Sequence, residues 1–312
     1  MAGMTKAADQ TWRAEAALVL VVLVWGVNFP IVKAVLEVMD PFVLNSFRFA
    51  TSAIVLGALY ARQSAQRGQP FWKPLRNRPL QIAGLGILGF LVYQLCFILG
   101  LDRTTAGNAA LIMAGSPLWT AVAGFALRTE VLQRRSWFAL IIVLIGAVII
   151  VLGGEGELDF SSETFVGNVI MLAAAMAWGV YTALNKPALG FVSATGLTFL
   201  GLLVALPFLF ALGVPYYSEV AWNQVTMLHW GAILFSGGLA TGIAIVLWNN
   251  AVKRVGASQT AVYGNIVPIV AVGSSYMMLG ETITSSQVVG GLFVIGGILV
   301  MRRASRVAAA PG

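Results

Sequence analysis

The chain has 312 residues, of which 59% are apolar and only 10% charged, and its mean hydropathy is +0.86. A soluble domain carries about 25% charged residues, so this chain cannot cover a water-facing surface and its solvent is lipid. The net charge of +7 is spread along the sequence rather than gathered into one basic patch, which excludes the footprint of a nucleic-acid-binding protein.

In lipid the backbone must satisfy its own hydrogen bonds, as helices or as a closed barrel. The apolar runs are continuous and about 20 residues long, which selects helices over ten-residue alternating strands. In chain order they predict ten spans near residues 15–36, 41–61, 80–101, 104–127, 136–153, 166–186, 191–213, 229–251, 257–279 and 286–302. The first holds Trp25, Asn28, Pro30 and Lys33 and lacks a small-residue cleavage site, so it reads as a span and not as a cleaved signal peptide. The second carries Arg48, with Asn45 one turn earlier on the same face. At the helical rise Arg48 lies roughly 10 Å below the span's outer boundary. The third span, with Tyr93 and Gln94, and the fourth, with Asn108, Met113 and Pro117, are separated by a tight turn at Asp102-Arg103. An acidic stretch from Gly154 to Thr164 precedes the sixth span, which holds Trp178, Tyr181 and Lys186. Segment 214–228, with Tyr216, Tyr217 and Trp222, reads as interfacial, because aromatic rings settle at headgroup level. Trp248 lies in the eighth span, and Tyr263, Asn265 and Pro268 lie in the ninth.

The chain also repeats itself. Trp25-Gly26-Val27, followed six residues later by Lys33, recurs as Trp178-Gly179-Val180, followed six residues later by Lys186. Arg103, Pro117, Glu130 and Gly146 recur as Arg254, Pro268, Glu281 and Gly297 at a constant offset of 151. The small residues Ala106, Ala110 and Ala114 correspond to Ala257, Ala261 and Asn265. A duplication in an apolar chain suggests a transporter with its site between the repeats. Five spans per half is an odd number, so the two halves enter the membrane from opposite sides and the repeat is inverted. The halves are residues 1–154 and 165–312, joined by a linker at 155–164. With both termini in the cytoplasm, the inner segments hold 16 of the 19 Lys and Arg residues and the outer segments nine of the twelve acids. The basic bias sets the orientation and makes the linker extracytoplasmic.

Ten spans in two inverted halves, a Trp-Gly-x…Lys start to each half and proline-centred fourth and ninth spans resemble the drug/metabolite transporter superfamily, in its EamA-type branch. Within it the chain is similar to the bacterial YddG-type exporters. The resemblance implies an all-α integral membrane protein of ten transmembrane helices in two inverted five-helix repeats. It also implies a bacterial inner-membrane location, and export of aromatic and other neutral amino acids.

Proline removes a backbone donor and frees a carbonyl one turn earlier. Pro117 and Pro268, with Pro30 in the first span, are therefore candidate hinges. Each also has a plain reading as a packing kink, with the neighbouring alanines letting helices approach. Bare amides and cations are costly in lipid and face the bundle interior or an interface. On that ground Asn28, Arg48, Gln94, Asn108 and Asn265 are candidate substrate ligands, and Arg48 either binds a carboxylate or holds a helix carbonyl. Lys33 either snorkels to the outer surface or turns inward. Trp25, Tyr93, Trp178, Tyr181, Trp248 and Tyr263, with Met113, are candidates for an aromatic wall. Such rings are also common packing residues, but the amides beside them suit a ligand with an apolar side chain and a polar head.

The single histidine, His229, and the single cysteine, Cys96, cannot by themselves make a metal cluster or an intramolecular disulfide. No P-loop, His-x-x-x-His or Ser/His/Asp arrangement is legible. These features imply no enzyme, no cofactor and no obligatory protein partner, only a small-molecule substrate and the bilayer. The expected function is export of amino acids by alternating access. The alternatives are a proton-coupled transporter of drugs or other metabolites, or a non-transporting receptor or assembly protein on the same bundle.

Overall fold

The structure, a computed structural model, describes residues 2–127, 134–152, 162–255, 263–264 and 266–309. Among the described residues the chain is helical with no strand. In order the helices are α1 (Ala2–Leu36), α2 (Pro41–Gln66), the short α3 (Lys73–Asn77), α4 (Pro79–Gly86), α5 (Tyr93–Arg103), α6 (Ala106–Met113) and α7 (Ser116–Ala126). They continue as α8 (Arg134–Leu152), α9 (Glu163–Ala188), α10 (Ala194–Gly213), α11 (Met227–Leu234), α12 (Ala244–Val255), α13 (Val267–Leu279) and α14 (Ser285–Ala309). Two π-helical segments, Ile87–Val92 and Phe235–Ile243, join α4 to α5 and α11 to α12. Seven described helices are long and apolar enough to cross a membrane: Glu15–Leu36, Pro41–Gln66, Pro79–Arg103, Ala106–Ala126, Glu163–Asn185, Ala194–Tyr216 and Met227–Ala251. Three shorter apolar helices, Trp137–Leu152, Val267–Leu279 and Ser285–Gly297, accompany them.

Local chemistry fixes where the helices start and stop. Asp40 Oδ1 accepts from the Phe42 and Val43 amides at 2.8 and 3.3 Å, and Pro41 supplies a first-turn residue with its φ already set. Ser193 Oγ caps α10 through the Gly196 amide at 3.1 Å. Helix α13 ends on Gly280 in the left-handed region, at φ +67°. Pro117 and Pro268 each sit in the first turn of a new helix, α7 and α13. Both prolines therefore stand at helix starts, whereas α1 runs on unbroken past Pro30.

The duplicated glycines are close-packing points. Gly26 of α1 faces Val267 and Val270 of α13, and Gly179 of α9 faces Ser116 and Trp119, the residues 151 positions earlier, in α7. A Cβ at either glycine would meet its neighbour at 2.5 Å. Gly146 and Gly297 do the same for α8 and α14, where a Cβ would meet the Gly290 and Ala139 carbonyl oxygens at 2.6 and 2.9 Å. In lipid, helices associate by such close backbone approach and not by hydrophobic exclusion.

One end of the bundle is clasped across the two halves of the chain. Glu281 accepts from the Ala106 and Gly107 amides at 2.8 and 3.0 Å. Thr105 Oγ1 accepts from the Asn108 amide at 3.1 Å, and the Thr105 carbonyl takes the Ala109 amide at 3.0 Å. The free amides of Ala106, Gly107 and Asn108 are thereby satisfied, and the Ala109 bond is the first of the helix itself. Gln287 Nε2 donates to Asn108 Oδ1 at 2.9 Å. Beside them Lys33 Nζ donates to the Leu101 and Asp102 carbonyls, at 3.0 and 2.6 Å. A cation thus sits at the C-terminal end of α5, where the helix dipole favours it.

Candidate functional site

Between the helices lies a cavity of about 140 Å³, close to the roughly 150 Å³ that admits one benzene-sized ring. Four aromatic side chains form its main wall. Trp25 and Trp178, the two tryptophans of the duplicated motif, meet edge to face at 6.4 Å between ring centroids. Trp248 lies 5.0 Å from Trp25, and Tyr93 lies 4.9 Å from Trp178. The wall is held rigidly: the Trp25 indole N–H donates to the Ala240 carbonyl at 2.9 Å. That carbonyl belongs to the π-helical segment of residues 235–243, whose Gly237 carbonyl also accepts from Ser52 Oγ, at 2.6 Å.

The polar part of the lining centres on Arg48, which is 2% exposed. Its Nε donates to Ser236 Oγ at 2.7 Å and its Nη1 to Asn45 Oδ1 at 2.8 Å. Asn45 in turn donates to the Gln94 carbonyl at 3.2 Å. The guanidinium carbon lies 5.8 and 5.9 Å from the ring centroids of Phe49 and Phe97, within reach of a cation–π attraction. Among the described residues no carboxylate pairs with Arg48, and it is the only formally charged residue of the cavity wall. A desolvated cation without a counter-ion is costly. Chemically, the wall sets one cation among aromatic faces and amides.

Of the residues picked out from the sequence, Trp25, Asn28, Arg48, Tyr93, Gln94, Met113, Trp178 and Trp248 line this one cavity, as do Pro117 and Pro268. Four others do not. Asn108 is 5% exposed and is tied into the end clasp through Gln287. Tyr181 is 1% exposed and packs behind Trp178, with ring centroids 5.4 Å apart. Tyr263 is half-buried outside the lining. Asn265 lies outside the described residues. Pro30 is buried within α1, away from the cavity wall. Sequence reasoning missed Phe29, Phe97 and Thr241 in the wall and Ser236 behind it. Phe97 follows Tyr93 by four residues and so shares its helix face. Ser236 and Thr241 belong to the Ser-Gly-Gly-Leu-Ala-Thr-Gly run, whose small and hydroxylic residues in mid-span were the available signal.

The EamA-like transporter family model matches the chain twice, over residues 12–152 and 165–303. A protein named uncharacterized transporter YyaM, from Bacillus subtilis, is 24% identical over 88% of this chain and 88% of its own. A probable amino-acid metabolite efflux pump of Salmonella typhimurium is 25% identical over 92% of this chain and 96% of its own. A probable terminal-alkyne amino-acid exporter of Streptantibioticus cattleyicolor is 26% identical over 96% and 98%. A solved crystal structure of a protein 21% identical to this one shares its fold, with a TM-score of 0.63 over 93% of this chain and 98% of that one. Most of the chain is thus covered by the family, and the protein is a membrane transporter that belongs to the EamA-like transporter family.

Proposed function

We propose that this transporter exports aromatic and other neutral amino acids through the cavity at Arg48, by alternating access between two inverted five-helix repeats. The repeats are residues 1–154 and 165–312, with both termini cytoplasmic and the 155–164 linker outside a bacterial inner membrane. The observation that carries the substrate class is the buried, carboxylate-free guanidinium of Arg48 inside an aromatic box. A substrate carboxylate is the natural partner of such a group, and Trp25, Trp178, Trp248 and Tyr93 offer apolar faces to a side chain. The names of two relatives, an amino-acid metabolite efflux pump and an amino-acid exporter, point the same way. A YddG-type preference for aromatic side chains fits the box. A site for cationic drugs calls for an acid, whereas this wall presents a cation.

The repeated glycine contacts and the two family matches support the duplicated architecture. The orientation set by Lys and Arg puts Glu281, Gln287 and Lys33 on the outer side. The clasp they form then closes the cavity to the outside, and its release is the outward-opening step.

The test is purified protein in liposomes loaded with single labelled amino acids, with and without a pH gradient. Phenylalanine, tryptophan and other neutral amino acids should leave faster than from empty-membrane controls, at rates set by their own gradient. If no amino acid moves, the substrate class is wrong.

A further inference from the structure

The cation of the cavity wall is set in place from behind the wall. A guanidinium is a planar fork of N–H donors, and two of the three nitrogens of Arg48 are taken. Nη1 donates to Asn45 Oδ1 at 2.8 Å and Nε to Ser236 Oγ at 2.7 Å. Asn45 and Ser236 are 0% and 1% exposed, and neither lines the cavity. Asn45 shares α2 with Arg48, whereas Ser236 comes from the second half of the chain. Nη2 has no hydrogen-bond partner among the described residues, yet its neighbours do not close it off. It is the corner of the guanidinium left to the cavity that Arg48 lines.

The segment that carries Ser236 is itself locked to α2. Gly237 packs on the Arg48 backbone so closely that a Cβ there would collide with the Arg48 carbonyl oxygen. Ser52 Oγ donates to the Gly237 carbonyl at 2.6 Å, and the Ala240 carbonyl takes the Trp25 indole N–H at 2.9 Å. One π-helical segment thus anchors both the cation and a ring of the aromatic wall. An arginine held at one nitrogen still turns about its last bonds. Held at two nitrogens from two elements, its plane is fixed, and the remaining donors are pre-aligned. Resting on the amino-acid reading above, we propose that Ser236 is a positioning residue for substrate recognition, its hydroxyl fixing the guanidinium plane so that Nη2 meets the substrate carboxylate. Ser236 acts only through Arg48. Its loss therefore weakens every substrate that carries the carboxylate, whatever the side chain, because side-chain preference is left to the rings.

The experiment measures initial rates of labelled L-phenylalanine uptake into proteoliposomes over a range of concentrations. Wild type, Ser236→Ala, Arg48→Met and the double variant are compared at matched protein level. A bond to a charged group is worth roughly ten- to hundred-fold in affinity. Ser236→Ala should raise the half-saturating concentration about ten-fold, at the lower end of that range, with a maximal rate near wild type. Competition by phenylalanine, leucine and alanine should weaken by a common factor. In the Arg48→Met background the same substitution should add nothing, because the group it orients is gone. The single variant decides alone where that background is too slow to titrate. Unchanged half-saturation in Ser236→Ala, a fall confined to its maximal rate, or an equal loss in the Arg48→Met background would each overturn the positioning role while leaving amino-acid transport in place. Failure of the wild-type protein to take up any amino acid would overturn the amino-acid reading and this proposal with it.

Discussion

At the residue scale, burial sorts the candidates in a way that composition cannot. Arg48 stood out in the sequence because it lies too deep in its span to be a loop charge, and it is buried in the cavity wall. Trp25 and Trp178 stood out because the motif is duplicated, and they meet across the cavity. Asn108 and Tyr181 were equally polar and equally deep in their spans, yet one belongs to the end clasp and the other to the packing behind Trp178. In a chain apolar on every side, helix periodicity does not say which face a polar residue takes. Burial depth was legible, but direction was not. On the proposed reading, Trp178, in contact with Trp25, Tyr93 and Tyr181, grips a substrate ring. Ring pairs contribute about 0.5–1.5 kcal/mol beyond area burial. Trp178→Ala should therefore weaken competition by phenylalanine and tryptophan up to about ten-fold and leave alanine or valine nearly unaffected. Equal losses for large and small substrates would reduce Trp178 to a packing residue.

At the element scale, the helix breaks at Pro117 and Pro268 were legible because proline acts through its own missing donor. The π-helical segments 87–92 and 235–243 were not. They depend on tertiary partners, Trp25 and Ser52 accommodating the carbonyls of the second, and glycine content alone does not announce them. Such turns often mark functional sites, and here each runs into residues of the cavity wall: Tyr93 and Gln94 follow the first, and Ala240 and Thr241 lie within the second. The end clasp was half legible. Glu281 was recognisable as the repeat of Glu130, but nothing local said that its carboxylate caps α6. A carboxylate at a partly buried helix N-terminus stabilises by up to about 2 kcal/mol. Glu281→Ala should raise amide hydrogen exchange at Ala106 and Gly107 by roughly ten- to thirty-fold, and shift the transporter toward opening at that end. Unchanged protection at those two amides would show that the cap does not hold this end shut.

At the scale of the whole molecule, the pieces make one statement. The two halves of the duplicated sequence each bring a tryptophan to one cavity, and the first adds a buried cation with no carboxylate paired to it among the described residues. The class of the molecule was legible from hydropathy and duplication, because lipid leaves few solutions for a chain this apolar. The cavity lining was not, because which polar groups have partners becomes visible only when the helices are packed. The most direct test of the central claim is counterflow of labelled L-phenylalanine in proteoliposomes, comparing wild type with Arg48→Met purified as a monodisperse protein. Loss of a buried charge-assisted bond should lower phenylalanine counterflow about ten- to hundred-fold, while the protein remains folded. Wild-type counterflow by Arg48→Met would contradict the assignment of this cavity as the place where the substrate carboxylate is read.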